Sequence, residues 1–156
     1  MNILNMYSWK ISKQLLFSIL EDKVSDRFVC ELIWERLFYQ KENENIHWSF
    51  SSKTPKYWSD LFPEAPLIIS QRRASIHLTR SIDKESKQGL KEFLGFRGYK
   101  ISELYPRLTR RATAVNWLIC WARNSNFPIN EFGLSPRLLE PPQNPAFGHP
   151  GDLVIT

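Results

Sequence analysis

Three arginines with helical spacing are the residues of this chain best suited to binding an anion. Arg107, Arg110 and Arg111 stand at positions i, i+3 and i+4, so a helix would place them on neighbouring turns of one face. They fall at the start of a predicted helix, where unpaired N–H groups and the helix dipole already concentrate positive charge. Three cations there indicate a compensating anion, and guanidinium groups suit phosphate or carboxylate.

Two further cations lie in a glycine-flanked turn shortly before this helix. Arg97 and Lys100 belong to the stretch Gly95-Phe96-Arg97-Gly98-Tyr99-Lys100 and could approach the same place. We therefore predict one anion- or partner-binding site formed by five cations, namely Arg97, Lys100, Arg107, Arg110 and Arg111.

Two alternatives to this binding site remain open. The arginines could pair with acids of the same chain, because residues 1–66 alone contain nine Asp and Glu. They could also form a solvated surface that binds no specific partner.

The charge distribution supports a basic face in the middle of the chain. The protein has 156 residues and a net charge of +5. Residues 67–123 carry a charge of +8, whereas residues 1–66 carry −1 and residues 124–156 carry −2. Arg72 and Arg73 either extend this basic face or belong to a loop.

No catalytic or metal-binding motif accompanies these charges. The chain lacks a P-loop, a GxGxxG motif, an HExxH motif and a GxSxG elbow. His47, His77 and His149 do not have the spacing of metal ligands. We therefore predict no cofactor, no metal and no enzymatic activity.

The cysteines indicate a reducing compartment, and the apolar segments indicate neither a signal peptide nor a membrane span. Cys30 and Cys120 lie in apolar helical patterns, which are typical of buried, reduced thiols. The N-terminus has no basic region of the kind that begins a signal peptide. The longest apolar stretch, residues 117–122, is far too short for a membrane span. We expect a cytoplasmic or plastid-stromal protein.

Hydrophobic periodicity predicts the elements that would position the cations. It indicates two helices within residues 12–39, strands over 46–50 and 75–81, a short helical piece from Pro55, a helix over 83–94 that ends at Gly95, and a buried helix from about 106 or 110 to 123. The predicted fold class is α+β: a mostly helical single domain with a small antiparallel sheet and a buried C-terminal helix.

The domain and its tail are separated by a change in composition. Residues 1–140 are predicted to form one globular domain. Residues 141–156 are predicted to form a proline-rich extended C-terminal tail. The apolar residues that could fix this tail to the domain are Phe147, Leu153, Val154 and Ile155.

Several long strings of residues resemble a known family. They are Leu78-Thr79-Arg80-Ser81-Ile82, the stretch 90–101, Pro106-Arg107, Thr109 to Ala114, and Asn116-Trp117-Leu118, together with Ile19-Leu20-Glu21-Asp22 and Leu32-Ile33-Trp34. Over roughly residues 12–123 the chain resembles a domain-of-unknown-function family of small soluble proteins from cyanobacteria and related photosynthetic lineages. The resemblance implies a photosynthetic bacterial or plastid source and implies no activity.

Three hypotheses for the function follow. The first is a non-catalytic accessory protein that docks an acidic protein surface through its basic face, with a photosynthetic-lineage complex as the client that the resemblance implies. The second is RNA binding, since Phe96 and Tyr99 beside Arg97 and Lys100 would combine stacking groups with charge. The third, an enzyme acting on a phosphorylated or carboxylated small molecule, lacks a candidate nucleophile or base.

Overall fold

The computed structural model describes residues 7–42 and 46–156. In these ranges the chain forms six α-helices and one short antiparallel pair of strands. The helices are α1 (Lys13–Leu20), α2 (Asp26–Arg36), α3 (Lys56–Ser59), α4 (Arg72–Ser81), α5 (Gly89–Leu94) and α6 (Pro106–Asn124). The strands are β1 (Gln40–Lys41) and β2 (Trp48–Ser49), and two 3₁₀ turns cover Lys84–Ser86 and Ile101–Glu103.

Helix α6 is the centre of the fold. It begins with Pro106, whose missing N–H costs nothing at a first helical position. Ala114, Val115 and Leu118 are fully buried, and the helix contacts α1, α2, α4 and α5. A helix that is apolar on nearly every side must be surrounded by other elements. The predicted α+β class, mostly helical with a buried C-terminal helix, is therefore confirmed.

Helices α1 and α2 form the predicted N-terminal pair. The Ser12 hydroxyl accepts a hydrogen bond from the Leu15 N–H, and the Ser25 hydroxyl accepts one from the Phe28 N–H, so both helices have a serine N-cap. Between them Asp22 adopts a left-handed conformation with φ of 61°. Aspartate tolerates this region better than most residues, and the reversal aims its side chain towards α6.

The small antiparallel sheet is present, but one of its predicted strands is wrong. Strand β2 lies within the predicted 46–50 and pairs with β1, with Gln40 opposite Ser49 and Lys41 opposite Trp48. Residues 75–81, predicted as the second strand, lie in α4 instead. There Ala74, Leu78 and Ile82 recur every four residues on the buried side. So short an apolar run fits both the two-residue period of a strand and the 3.6-residue period of a helix. Packing against α6 selects the helix.

The predicted helix over 83–94 is interrupted. A 3₁₀ turn precedes α5, which begins only at Gly89 and ends at Gly95 with φ of 68°, the left-handed C-cap that glycine favours. Gly89 lies against α6, since a Cβ atom at this position would stand 2.4 Å from Asn116 Oδ1. This close approach brings α5 against α6.

The chain after α6 runs over the surface without a helix or strand in residues 125–156. Backbone hydrogen bonds attach it along its length: Lys13 N–H to Asn130 O, Leu139 N–H to Lys23 O, and Thr156 N–H to Ser70 O. Of the apolar residues expected to fix the tail, Ile155 packs against the core. Phe147, Leu153 and Val154 are exposed, so that part of the prediction is wrong.

None of the helices in the described ranges is both long and apolar enough to cross a membrane.

Candidate functional site

Arg107 lies at the centre of a buried ionic cluster rather than on the surface. Only 1% of its side chain is exposed. Its two terminal nitrogens donate to both oxygens of Asp22, at 2.6 and 2.7 Å, in the forked geometry that guanidinium and carboxylate prefer. Its Nε donates to Asp26 Oδ2 at 3.0 Å. These contacts fasten α6 to the N-terminal end of α2.

Arg111, one turn further along α6, is fully buried in the same cluster. Its Nη1 donates to Asp26 Oδ1 at 2.8 Å. Its other nitrogens donate to the main-chain oxygens of Ile19 and Val24. Carbonyls at the end of a helix have no partner within it. Arg111 therefore completes the C-terminal end of α1.

The cluster also receives two side chains from the C-terminal strap, the name we give to residues 144–156. Asp152 Oδ1 accepts the Asp26 N–H at the start of α2, and its Oδ2 accepts from Arg107 and from the His149 N–H. His149 is buried, with Nε2 lying 3.0 Å from Asp22 Oδ1. Residues far apart in sequence thus share one ionic site.

Burial and pairing move the pKa values of the cluster in opposite directions. Burial raises the pKa of Asp22, but the hydrogen bond from Arg107 and the charge of Arg111 outweigh it and leave that pKa lowered. Burial likewise lowers the pKa of Arg107, and its bonds with Asp22 and Asp26 reverse this into a rise. For Asp152, burial dominates and the pKa is raised. Of the two cluster acids whose pKa shifts, Asp152 is therefore the one whose burial is less well compensated by nearby positive charge.

Arg110 points away from the cluster and makes only main-chain contacts. Its guanidinium donates to the oxygens of Ile69, Ser70 and Thr156. Burial and the nearby charge of Arg72 lower its pKa. Arg110 therefore links α6 to the segment before α4 and to the end of the strap.

A groove of about 690 Å³ lies on the opposite flank of α6, and we call it the basic groove. Its walls come from the end of α4 with Ile82, from residues 87–91, from the turn 95–100 with Leu104, and from residues 109–116 of α6. Its cations are Lys87, Lys91 and Arg97. Every residue lining this groove belongs to the described part of the chain, and none is Asp or Glu.

The basic groove combines these cations with apolar and hydroxyl groups. Its apolar contacts are Ile82, Leu90, Phe96, Leu104 and Ala112, and its hydroxyl groups include Thr79, Thr109 and Thr113. Asn116 lines the same groove, and its buried Oδ1 has no hydrogen-bond partner among the described residues. Such a surface can accept an anionic group together with an apolar one.

The structure does not bring the five predicted site residues together. Arg107 and Arg111 pair with acids of the same chain, which is one of the two alternatives that the sequence left open. Arg110 is half-buried, and its guanidinium donates to main-chain oxygens. Arg97 lines the basic groove, and Lys100 is exposed three residues further on. Only Arg97 and Lys100 remain available to an external partner.

Sequence reasoning missed two lysines of the groove and four residues of the cluster. Lys87 and Lys91 alternate with acids along the sequence, a pattern typical of an ordinary solvated helix face. The charge of +8 over residues 67–123 was the signal that could have marked them. The missed cluster residues are Asp22, Asp26, His149 and Asp152. They lie in two distant segments of the sequence, residues 22–26 and 149–152, so no local motif joins them to the arginines of α6.

Neither cysteine has the surroundings of a reactive thiol. Cys30 and Cys120 are free and buried. Burial raises the pKa of the Cys30 thiol to about 11, which disfavours the nucleophilic thiolate. Within residues 7–42 and 46–156 no group of three or more His, Cys, Asp and Glu side chains is arranged to hold a metal ion.

Comparisons with known proteins identify a family but no activity. Residues 10–123 match the family described as "Domain of unknown function (DUF1823)". A solved solution NMR structure is 41% identical to this chain with a TM-score of 0.65, and the match covers 77% of this chain and 99% of the other. No curated protein matches the chain. The match with the family spans α1 to α6 almost completely, and the chain therefore belongs to this family of domains of unknown function.

Proposed function

We propose that this protein is a non-catalytic binding module that docks an acidic segment of a partner protein in the basic groove. One observation carries the proposal. Lys87, Lys91 and Arg97 surround an apolar floor, and no carboxylate lines the groove to neutralise them.

The cations of the groove are available to a partner. Lys87, Lys91 and Arg97 are exposed, and none of them lies within ion-pair distance of a carboxylate in the described ranges. The Lys87 ammonium donates one hydrogen bond to Thr79 O at 2.6 Å. That contact holds the ammonium group at the groove. The other two protons of the ammonium remain free to bind a carboxylate.

The apolar floor favours a peptide over a simple ion. Leu90, Leu104 and Ala112 would cover an apolar side chain of the partner, while the cations hold acidic residues beside it. The groove volume lies within the range of about 300–1,000 Å³ typical of ligand sites. Charge complementarity at the rim would accelerate association and select acidic partners.

The aromatic residues of the turn favour protein over RNA. The hydroxyl of Tyr99 donates to Leu20 O at 2.8 Å, and its ring lies edge-on to Phe96 with centroids 5.1 Å apart. Both rings pack against the core. Bases stack on exposed aromatic faces, and these two rings are engaged within the domain. RNA binding, the second hypothesis, is therefore supported less well than a protein partner, although both rings belong to the lining of the groove.

The buried free thiols support a reducing compartment, so we place this activity in the cytoplasm or the plastid stroma. A complex of a photosynthetic organism is the client that the sequence resemblance suggests.

A binding assay with defined probes tests the proposal. The full chain is titrated into a short fluorescein-labelled peptide of Asp, Glu and Leu, into the same peptide with Ser in place of Leu, and into labelled oligouridylate. We expect the leucine peptide to bind most tightly. The triple variant K87Q/K91Q/R97Q should weaken that binding about tenfold or more, as loss of several charge contacts does.

A matched variant separates the groove from general charge. K53Q/K56Q/R137Q removes the same charge at exposed positions elsewhere and should leave peptide binding almost unchanged. Equal losses in the two variants, tighter binding of the RNA, or no binding of either peptide would each overturn the proposal. Circular dichroism checks that both variants are folded.

A further inference from the structure

Another cavity lies on the exposed face of α4. It has a volume of about 490 Å³, and its charged lining consists of Arg72, Arg73 and Arg80. All of its lining residues belong to the described part of the chain, and none is Asp or Glu. The cavity shares no lining residue with the basic groove, so this inference does not depend on the proposed function.

Helical spacing brings the three arginines to one side of α4. Arg72, Ile76 and Arg80 follow one another at i, i+4 and i+8, and Arg73 stands at i−4 from His77 in the adjacent row. The opposite side of the helix packs against α6. The sequence left open whether Arg72 and Arg73 extend a basic face or lie in a loop, and the helix places them on such a face.

The positive charge of this cavity is not compensated by an acid. Arg72, Arg73 and Arg80 are exposed, and none of them belongs to an ion pair within residues 7–42 and 46–156. Burial lowers the pKa of His77, and the charges of Arg73 and Arg80 lower it further, although its hydrogen bond with Tyr57 O acts in the opposite direction. The histidine therefore lies in a positive potential.

The guanidinium of Arg73 is held in place without a ligand. It lies over the Phe62 ring, with 4.8 Å between Cζ and the ring centroid, and its Nη2 donates to Leu61 O at 3.2 Å. A guanidinium has five N–H groups, so these contacts leave several donors for an external anion. Apolar neighbours such as Leu61 and Ile76 exclude part of the water from the cavity, which strengthens hydrogen bonds to charged groups.

The number of arginines favours phosphate over carboxylate as the ligand. At Asp22 the fork of a single arginine contacts both oxygens of the carboxylate. A phosphate monoester has three free oxygens and a charge of about −1.5 to −2 at pH 7, so it can accept hydrogen bonds from more than one guanidinium. Three positive charges in one cavity match about two such groups.

We propose that the exposed face of α4 binds a small anionic ligand with two phosphate groups, held by Arg72, Arg73 and Arg80. We call these three residues the arginine site. Thr79 and Ile82 of the same helix line the basic groove, so α4 contributes to both sites. The arginine site takes a compact phosphorylated ligand, whereas the groove takes an acidic peptide.

Calorimetric titration of the full chain with pyrophosphate, inorganic phosphate and citrate tests the class of ligand. We expect one pyrophosphate to bind per chain. Citrate, which carries three carboxylates and no phosphate, and inorganic phosphate should each bind about tenfold or more weakly, because they offer fewer oxygens to the guanidinium forks. Citrate binding as tightly as pyrophosphate, or no binding of pyrophosphate, would overturn the proposal.

The variant R72Q/R80Q locates the binding. It keeps the contacts of Arg73 with Phe62 and Leu61, and we expect it to weaken pyrophosphate binding about tenfold or more. K87Q/R97Q removes the same charge from the basic groove and should leave this binding almost unchanged. Equal losses in the two variants would show that pyrophosphate responds only to net charge, against the proposal. Circular dichroism checks that both variants are folded.

The variant R72K/R80K separates guanidinium geometry from charge. Lysine keeps the positive charge but lacks the fork that binds two oxygens at once. We expect its affinity for pyrophosphate to lie between those of the wild type and R72Q/R80Q. Affinity equal to that of the wild type would contradict the assignment of forked contacts to Arg72 and Arg80.

Chemical shifts locate the ligand without any substitution. Pyrophosphate added to the wild-type chain should move the side-chain Nε–H resonances of Arg72, Arg73 and Arg80 and leave that of Arg97 almost unchanged. Movement confined to Arg97 would place the anion in the basic groove instead. If vesicles of anionic phospholipid bind through Arg72 and Arg80 while pyrophosphate does not bind, the face is a membrane contact and the proposal is wrong.

Discussion

Arg107 holds both carboxylate oxygens of Asp22, at 2.6 and 2.7 Å, across 85 positions of the sequence. The contact joins the middle of the α1–α2 turn to the first turn of α6. The left-handed backbone at Asp22 directs its carboxylate towards α6. The start of α6 at Pro106 places the Arg107 guanidinium opposite this carboxylate. The pair therefore fixes the packing of the N-terminal helix pair against the central helix.

The first prediction concerns the loss of this pair. The variant D22N keeps the shape of the side chain and the left-handed backbone, but it leaves Arg107 without its forked partner. Breaking a buried ion pair by removing one member costs about 3–5 kcal/mol, so we expect the free energy of unfolding to fall by about 3 kcal/mol or more. Urea denaturation measures this loss. R97Q, at the exposed groove position, should change the same free energy by less than about 0.5 kcal/mol. A D22N variant as stable as the wild type would show that the pair contributes little.

The second prediction concerns the contact between α5 and α6. A methyl group at Gly89 would stand 2.4 Å from Asn116 Oδ1. G89A should therefore destabilise the protein by about 1–3 kcal/mol, as overpacking does. G133A adds a methyl group whose nearest neighbour is at 3.5 Å and serves as the matched control.

The double variant G89A/N116S identifies the cause of this loss. If the clash with Asn116 is responsible, the two substitutions should compensate in a double-mutant cycle of urea denaturations. Strictly additive losses would point to the backbone at Gly89 instead.

The third prediction concerns alkaline pH. Burial raises the pKa of Tyr99 from 10.0 to about 12, so the folded state resists forming the phenolate. A group with a raised pKa in the folded state contributes stability below its unfolded pKa, and that contribution is lost as the pH rises through the folded value. The stability difference between wild type and Y99F should therefore shrink between pH 10 and 12. Urea denaturation at successive pH values tests this, and a difference that is constant with pH would contradict it.

The fourth prediction concerns acid pH. The pKa of Asp22 is lowered from 3.8 because its bonds with Arg107 and the charge of Arg111 outweigh burial. Its contribution is therefore present above the unfolded value and is lost as the pH falls through the folded one. Asp152, with a raised pKa, contributes with the opposite sign. Below pH 3.8 we expect the wild type to lose stability more steeply than D22N in thermal unfolding followed by circular dichroism.

Local signals in the sequence located most of the helical fold. Ser12 and Ser25 mark the starts of α1 and α2, Gly95 marks the end of α5, and the apolar run in α6 marks the core helix. These signals act within one or two helical turns, so they are readable without knowledge of the rest of the chain. The strand predicted at 75–81 failed because its few apolar residues fit either period until α6 is placed beside them.

The candidate site was only partly readable from the sequence. The charge of residues 67–123 indicated a basic surface, and Arg97 lies on the groove that carries it. The same sequence spacing also drew attention to Arg107 and Arg111, which turned out to be internal. Helical spacing tells which residues share a face, but it does not tell whether that face meets solvent or another element.

The sequence by itself therefore determined most of the helical elements, with α4 as the exception, together with the central position of α6 and the concentration of positive charge before and within it. Tertiary structure decided which charges are internal. Asp22 and Asp26 in the N-terminal pair, Arg107 and Arg111 in α6, and the strap come together only when distant segments pack. Each pairing depends on burial and on distances between segments that no local pattern encodes. Lys87, Lys91 and Arg97, before, on and after α5, have no carboxylate within ion-pair distance among the described residues, and they line the groove at which we propose that a partner binds.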